Sequence, residues 1–253
     1  MFTKLHKNFA THIIVKMKTE IILKSDSFSY PTKAERKEIK KRIPKISRLD
    51  IAYISAFIDF IENSEIENAI TKEDIYWWNN CLNNRIGKLN ETYIYTATHY
   101  QRLERSKLHE GNQKHTDKVL FEYYVEIFYY YFFSTRDVLG QLLNIMFDLR
   151  IDETKIHLNQ NFIDKIKSEN IRFELKKFLE NTRDSYNIRN AFNHRFTPIH
   201  RDNRAKKIIT KQEKSISFGT AEEIHIEDYI SDIENLMKHL SILLNGVDKL
   251  NIE

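Results

Sequence analysis

FEYYVEIFYYYFFSTRDVLGQLLNIMF, residues 121–147, decides the fold. The run is apolar on almost every side and far longer than an ordinary strand of about five or six residues. Its aromatics alone would suit a strand. It continues, however, through Arg136, Asp137, Leu139, Leu142 and Leu143 without a turn signal, so Asp117–Arg150 reads as a buried helix at the centre of the fold. Gly140 leaves room for a neighbour to pack closely. Arg136–Asp137 interrupts the apolar surface; its first reading is a salt bridge that fixes helix register, and its second is support for a functional helix alongside.

Upstream, Ile51, Ile54, Phe57, Ile58 and Ile61 follow the three-and-four spacing of one buried helical face. The pattern loosens over Asn63–Ala69. Thr71, with Asp74 three residues on, is the expected start of a helix running through Trp77, Trp78 and Leu82 toward Leu108, with a kink near Gly87 and a polar break at His109–Thr116. Downstream, Ile151–Gln160 is a connection, and Ile171, Leu175, Phe178 and Leu179 share the face of another helix. KKIITKQEKSISFG predicts a short hairpin-like insertion, and Glu227–Val247 returns to helix through Ile230, Ile233, Leu236, Met237 and Leu240.

The first 50 residues differ in character. Residues 11–24, THIIVKMKTEIILK, are β-prone, and Lys33–Arg48 is strongly basic. That basic run reads first as a solvated helix face and second as a phosphate-contacting surface. The expected organisation is an N-terminal extension over residues 1–50, β-prone and then basic, followed by a helical domain over 51–253. Within 253 residues, five glycines and three prolines are too few turn-makers for an all-β sandwich or barrel. Hydrophobic residues at 41% are enough for a core. The fold class is therefore mainly α.

Composition also narrows the setting. Cys81 is the single cysteine, which rules out an internal disulfide or a Cys-rich zinc site and suits a reducing, cytoplasmic location. No stretch nears the roughly 20 apolar residues of a membrane span, and Lys7, Lys16 and Lys18 interrupt the start where a signal peptide needs an apolar run. A formal charge of +4 permits a polyanionic partner without establishing one.

RDSYNIRNAFNHRFTP, residues 183–198, carries the functional signal. Four arginines precede a histidine with four to six residues between: Arg102–His109, Arg150–His157, Arg189–His194 and Arg195–His200. Pro198 breaks the last pair's helix, Arg150–His157 lies where helical patterning fails, and Arg102–His109 runs into a loop. Arg189–His194 alone lies in a well-patterned amphipathic helix. Its apolar side is Ile188, Ala191, Phe192 and Phe196, and opposite lie Arg183, Asn187, Asn190 and His194, with Arg189 and Asn193 as a second polar row. Arg189 and His194 are about 140° apart around an ideal helix. A site using both sits over the edge between the two polar rows, or is completed by a second chain across a two-fold axis.

RNAFNH resembles the motif of the HEPN superfamily, whose ribonuclease members carry Arg, a polar residue, then His after four to six positions. YYYFFSTRDVLGQLLN resembles the long first core helix of such domains. The resemblance implies a compact helical bundle, dimerisation that brings two Arg–His helices together, and RNA cleavage without metal or other cofactor. It also implies, as alternatives, a catalytically inactive RNA- or nucleotide-binding module and a dimeric interaction module. Microbial members are often toxins or defence effectors, which implies an antitoxin or regulatory partner.

The residue types suit that chemistry. His194 can move a proton near neutral pH, Arg189 can hold phosphate oxygens and offset developing charge, and Asn190 and Asn193 can orient phosphate, ribose or imidazole. Arg189, His194 and Asn190 are the candidate catalytic residues. Asn193, Arg195, Arg204, Lys206 and Lys207 are candidate substrate-binding residues, the last four doubling as an ordinary solvated loop. His194, His200, His225 and His239 lack metal-ligand spacing, so no metal is expected.

Overall fold

A computed structural model of the chain describes residues 30–49, 51, 55–63, 66–106, 112–194, 206–209, 214–217 and 225–248. Within them lie helices α1 (Lys33–Lys40), α2 (Ala56–Asn63), α3 (Ile66–Ser106) and α4 (Asn112–Met146). A 3-10 turn (Glu153–Lys155) is followed by α5 (Gln160–Ile163), α6 (Glu169–Asn181) and α7 (Arg183–His194). Strands β1 (Lys206–Ile209) and β2 (Lys214–Ser217) come next, then α8 (Ile226–Asp248). The β-prone stretch 11–24 lies outside the described residues.

The long apolar run is helical, as its length requires. α4 buries Phe121, Val125, Phe128, Tyr129, Phe132, Phe133, Leu139, Leu142 and Leu143 against four neighbours. Its partner α3 runs antiparallel to it, since His99 meets Asp117, Tyr100 meets Phe121, Tyr95 meets Tyr124 and Lys88 meets Tyr131. α6, α7 and α8 cover the other side of α4. Phe132 packs on Phe178 of α6, and Tyr129 on Phe192 of α7. From α8, Ile230, Ile233, Leu236, Met237, Leu240 and Leu244 enter the same core. Gly140 does admit a close neighbour: a Cβ there would stand 3.3 Å from Ile156 Cγ2 and 3.6 Å from Leu158 Cβ.

Two polar links tie α8 across the bundle. The Tyr93 hydroxyl of α3 donates to Glu234 at 3.0 Å, and the Tyr129 hydroxyl of α4 donates to Asp232 at 2.5 Å. Burial, with the neighbouring carboxylate, holds both phenols well above their ordinary pKa, so they stay protonated donors.

The basic stretch forms one short helix and a strap. Thr32 and Glu35 make a reciprocal capping box at the start of α1. Ile39 is fully buried, and Arg36 bridges to Glu91 of α3 at 2.8 Å. Beyond α1 the chain passes over α8 and α3: the Lys45 carbonyl accepts from Ser241, Ser47 bonds Asn245, and the Leu49 carbonyl accepts from Asn79.

Three local expectations need correction. Phe57, Ile58 and Ile61 were expected on a buried face, yet they are 73%, 55% and 62% exposed. Their spacing makes α2 helical, but its main contact among the described elements is with α3, and that contact leaves these side chains exposed. The helix expected to begin at Thr71 begins at Ile66; Thr71 lies inside it and donates its hydroxyl to the Glu67 carbonyl. Asn112–Thr116, read as part of a polar break, forms the first turns of α4. Polar residues there mark a helix end emerging from the core, not the absence of helix.

The structure also assigns Arg102 a structural task. Its guanidinium grips both Glu35 oxygens at 2.8 and 2.9 Å and lies 3.9 Å from Asp117, whose carboxylate accepts from His99 Nδ1 across 2.8 Å. His99 and Asp117 are essentially fully buried. Neither was singled out in the sequence, because the two are far from each other in the pattern and meet only when α3 and α4 pair.

Candidate functional site

α7 follows α6 after the single residue Thr182, whose hydroxyl donates to the Phe178 carbonyl at 2.9 Å. The short connection forces α7 to turn away at once. Ser185, Ile188 and Phe192 lie at three-and-four spacing and face the bundle. Ser185, 2% exposed, donates to Asp232 Oδ1 at 2.8 Å, while the other oxygen of the same carboxylate takes the Tyr129 hydroxyl. Phe192 packs between Tyr129 and Tyr229, with ring centroids 5.6 and 6.4 Å away. Asp232 thus joins α4, α7 and α8 at one point.

With that face committed, the polar rows point outward. Arg183, Asn187 and Asn193 are exposed, while Arg189 and Asn190 are half-buried. Arg189 Nη1 donates to Asn190 Oδ1 at 3.1 Å, so the amide holds the guanidinium. Arg189 Nε is buried with no hydrogen-bond partner among the described residues. His194 is the last residue of α7, five positions on; its side chain, like Arg195 and Arg204, lies outside the description. Lys206 and Lys207 belong to β1, Lys207 being exposed and paired across the hairpin with Ile216. The structure therefore brings Arg189 and Asn190 into contact on the helix that His194 ends.

A third party reaches this cluster from α4. The Arg136 guanidinium lies 5.0 Å from the Phe133 ring and 4.8 Å from the Tyr186 ring, and Arg189 lies 6.0 Å from the same Tyr186 ring. Two cations thus share one tyrosine. Arg136 keeps only a loose 3.7 Å approach to Asp137, and its Nε is buried without a partner among the described residues. Of the two readings of Arg136–Asp137, contact with the functional helix is the stronger feature. Tyr186 escaped notice in the sequence, although its position three residues before Arg189 was a legible signal.

Two of the remaining candidate histidines fall within the described residues. His225 precedes α8 on the surface, and His239 faces Asn181 of α6 at 3.5 Å. Burial and the nearby Lys238 and Lys177 hold the His239 pKa below its ordinary value, against Asp232. His200 is outside the description. No group of three or more metal-ligating side chains occurs among the described residues, and no helix there is long and apolar enough to cross a membrane.

An antiparallel α3–α4 hairpin with α6, α7 and α8 packed against α4 is the architecture of a mainly helical bundle. A family model described as Cthe2314-like HEPN matches residues 78–252, more than two thirds of the chain, and the chain belongs to the HEPN superfamily. Comparison with curated proteins and with solved structures gave no match.

Proposed function

We propose that this chain is a metal-independent endoribonuclease of HEPN type, acting as a homodimer in a toxin or defence role. The observation that carries the reading is the half-buried Arg189 guanidinium, clasped by Asn190 on the flank of the helix that ends at His194.

In this reading the ribose 2′-hydroxyl attacks the adjacent phosphorus, and the P–O5′ bond breaks. One imidazole takes the 2′ proton, and a protonated imidazole returns one to the leaving 5′ oxygen. The products are a 2′,3′-cyclic phosphate and a 5′-hydroxyl. Two chains related by a two-fold axis supply both imidazoles from one position, His194. The Arg189 guanidinium holds the nonbridging oxygens as negative charge builds on them. DNA lacks the attacking hydroxyl and is not a substrate. Lys206 and Lys207, with Arg195 and Arg204, supply backbone contacts, Asn193 lies on the exposed flank of the same helix, and an antitoxin or regulatory partner restrains the activity.

The test is incubation of purified protein with mixed RNA in EDTA. Wild type leaves cyclic-phosphate ends; His194→Ala and Arg189→Ala each reduce the rate by about 100-fold or more with folding and oligomeric state unchanged. Cleavage that survives both substitutions sinks the proposal. RNA bound but uncut supports the second reading, an inactive HEPN-type binding module, which the inward-turned Nε of Arg189 also suits.

A further inference from the structure

On the side of α4 away from Arg189 lies a groove of about 690 Å³. Its walls are Arg48 of the strap, the middle of α3, and Tyr131 of α4. Tyr131 stands about 200° around the helix from Phe133, which meets Tyr186, so the groove and the α7 cluster occupy opposite faces of α4.

Two observations at this groove point to an occupant. The first is charge. Arg36 already neutralises Glu91, the acidic residue of the lining, at 2.8 Å. Arg48 and Lys88 have no carboxylate partner among the described residues, and Lys88 Nζ instead lies 5.8 Å over the Tyr131 ring. The net character is cationic, with a guanidinium and an ammonium reaching in from different elements. That pairing suits a phosphate group, whose several oxygens can meet both at once.

The second is Gly87. Glycine weakens the interior of a helix relative to alanine, and here packing does not require it, because a Cβ would meet nothing within 4 Å. What the missing side chain preserves is open space in the groove.

We propose that this groove binds a small phosphorylated molecule, its phosphate between Arg48 and Lys88. The volume is in the range of sites for ligands of that size. Arg48 is presented from a fixed strap, since Asn79 Nδ2 donates to the Leu49 carbonyl at 3.1 Å. Within the basic stretch, Arg36 and Arg42 are spent on Glu91 and Glu38, which leaves Arg48 to the ligand.

The experiment titrates the full chain, in EDTA, with adenosine 5′-monophosphate, inorganic phosphate and adenosine, following thermal unfolding and the heat of binding. The monophosphate raises the unfolding temperature, inorganic phosphate competes with it, and adenosine has no effect at the same concentration. Arg48→Gln and Lys88→Gln each weaken binding about tenfold. Gly87→Leu fills the groove and abolishes binding, while Gly87→Ala folds and binds like wild type. Arg189→Ala leaves this binding intact whether or not RNA is cut, which separates the groove from the α7 site. The proposal is overturned if neither phosphate-bearing probe binds. It is equally overturned if binding survives Gly87→Leu or the Arg48→Gln/Lys88→Gln pair, or disappears with Arg189→Ala.

Discussion

Arg136 is half in the core and half in the candidate site. Its guanidinium contacts the rings of Phe133 and Tyr186, while Asp137, its acidic neighbour among the described residues, stands 3.7 Å off and is half exposed. An ion pair that loose and wet contributes little, so the ring contacts dominate what Arg136 does for the fold. Arg136→Ala should cost about 1–3 kcal/mol by urea denaturation, through lost ring contact and lost packing of the side-chain stem. Asp137→Ala should change stability by less than about 0.5 kcal/mol. A double-mutant cycle of Arg136→Ala with Tyr186→Leu should give a coupling of about 0.5 kcal/mol or more. Additive losses would mean that the α4–α7 contact is incidental. The arginine was visible in the sequence as a break in an apolar run, but its partner was not, because Tyr186 is brought beside it only by the turn at Thr182.

For the elements, legibility followed the length and regularity of the pattern. α4 could be read because no strand continues for so many apolar residues, and α7 because its two polar rows leave a clean apolar face. α2 misled, since its spacing correctly indicates helix but carries no information on what covers the helix. Thr71–Asp74 has the composition of a cap, yet the Thr71 hydroxyl is satisfied by the carbonyl one turn earlier, so the helix simply runs on. The two central helices each hold a glycine, and their surroundings predict opposite outcomes. Gly87→Ala points into open space and should stabilise by about 0.5–1 kcal/mol. Gly140→Val pushes into Ile156 and Leu158 and should destabilise by about 1–3 kcal/mol. Thermal unfolding of the two variants checks the contrast, and equal shifts would contradict the packing of α4 on the segment after it.

Across the molecule, the segment from Tyr30 to Leu49 is bound to the bundle through the buried Ile39 and Leu49 and through polar contacts, and one carboxylate dominates the polar contacts of its first half. Burial would raise the pKa of Glu35, but the hydrogen bonds from Arg102 and from the Thr32 backbone and side chain outweigh it and bring the value from 4.5 to about 2. A folded-state pKa below the unfolded one means that the folded chain binds fewer protons, so Glu35 contributes stability above about pH 4.5. That contribution fades as the pH falls from about 4.5 toward about 2. Glu35→Gln should therefore be less stable than wild type at pH 7, with the gap closing across this acid window. Denaturant midpoints at several pH values between neutrality and pH 2 measure it. A gap that stays constant would show that Glu35 acts through shape and not charge. A gap that widens on acidification would contradict the Arg102 clasp that fastens α1 to α3.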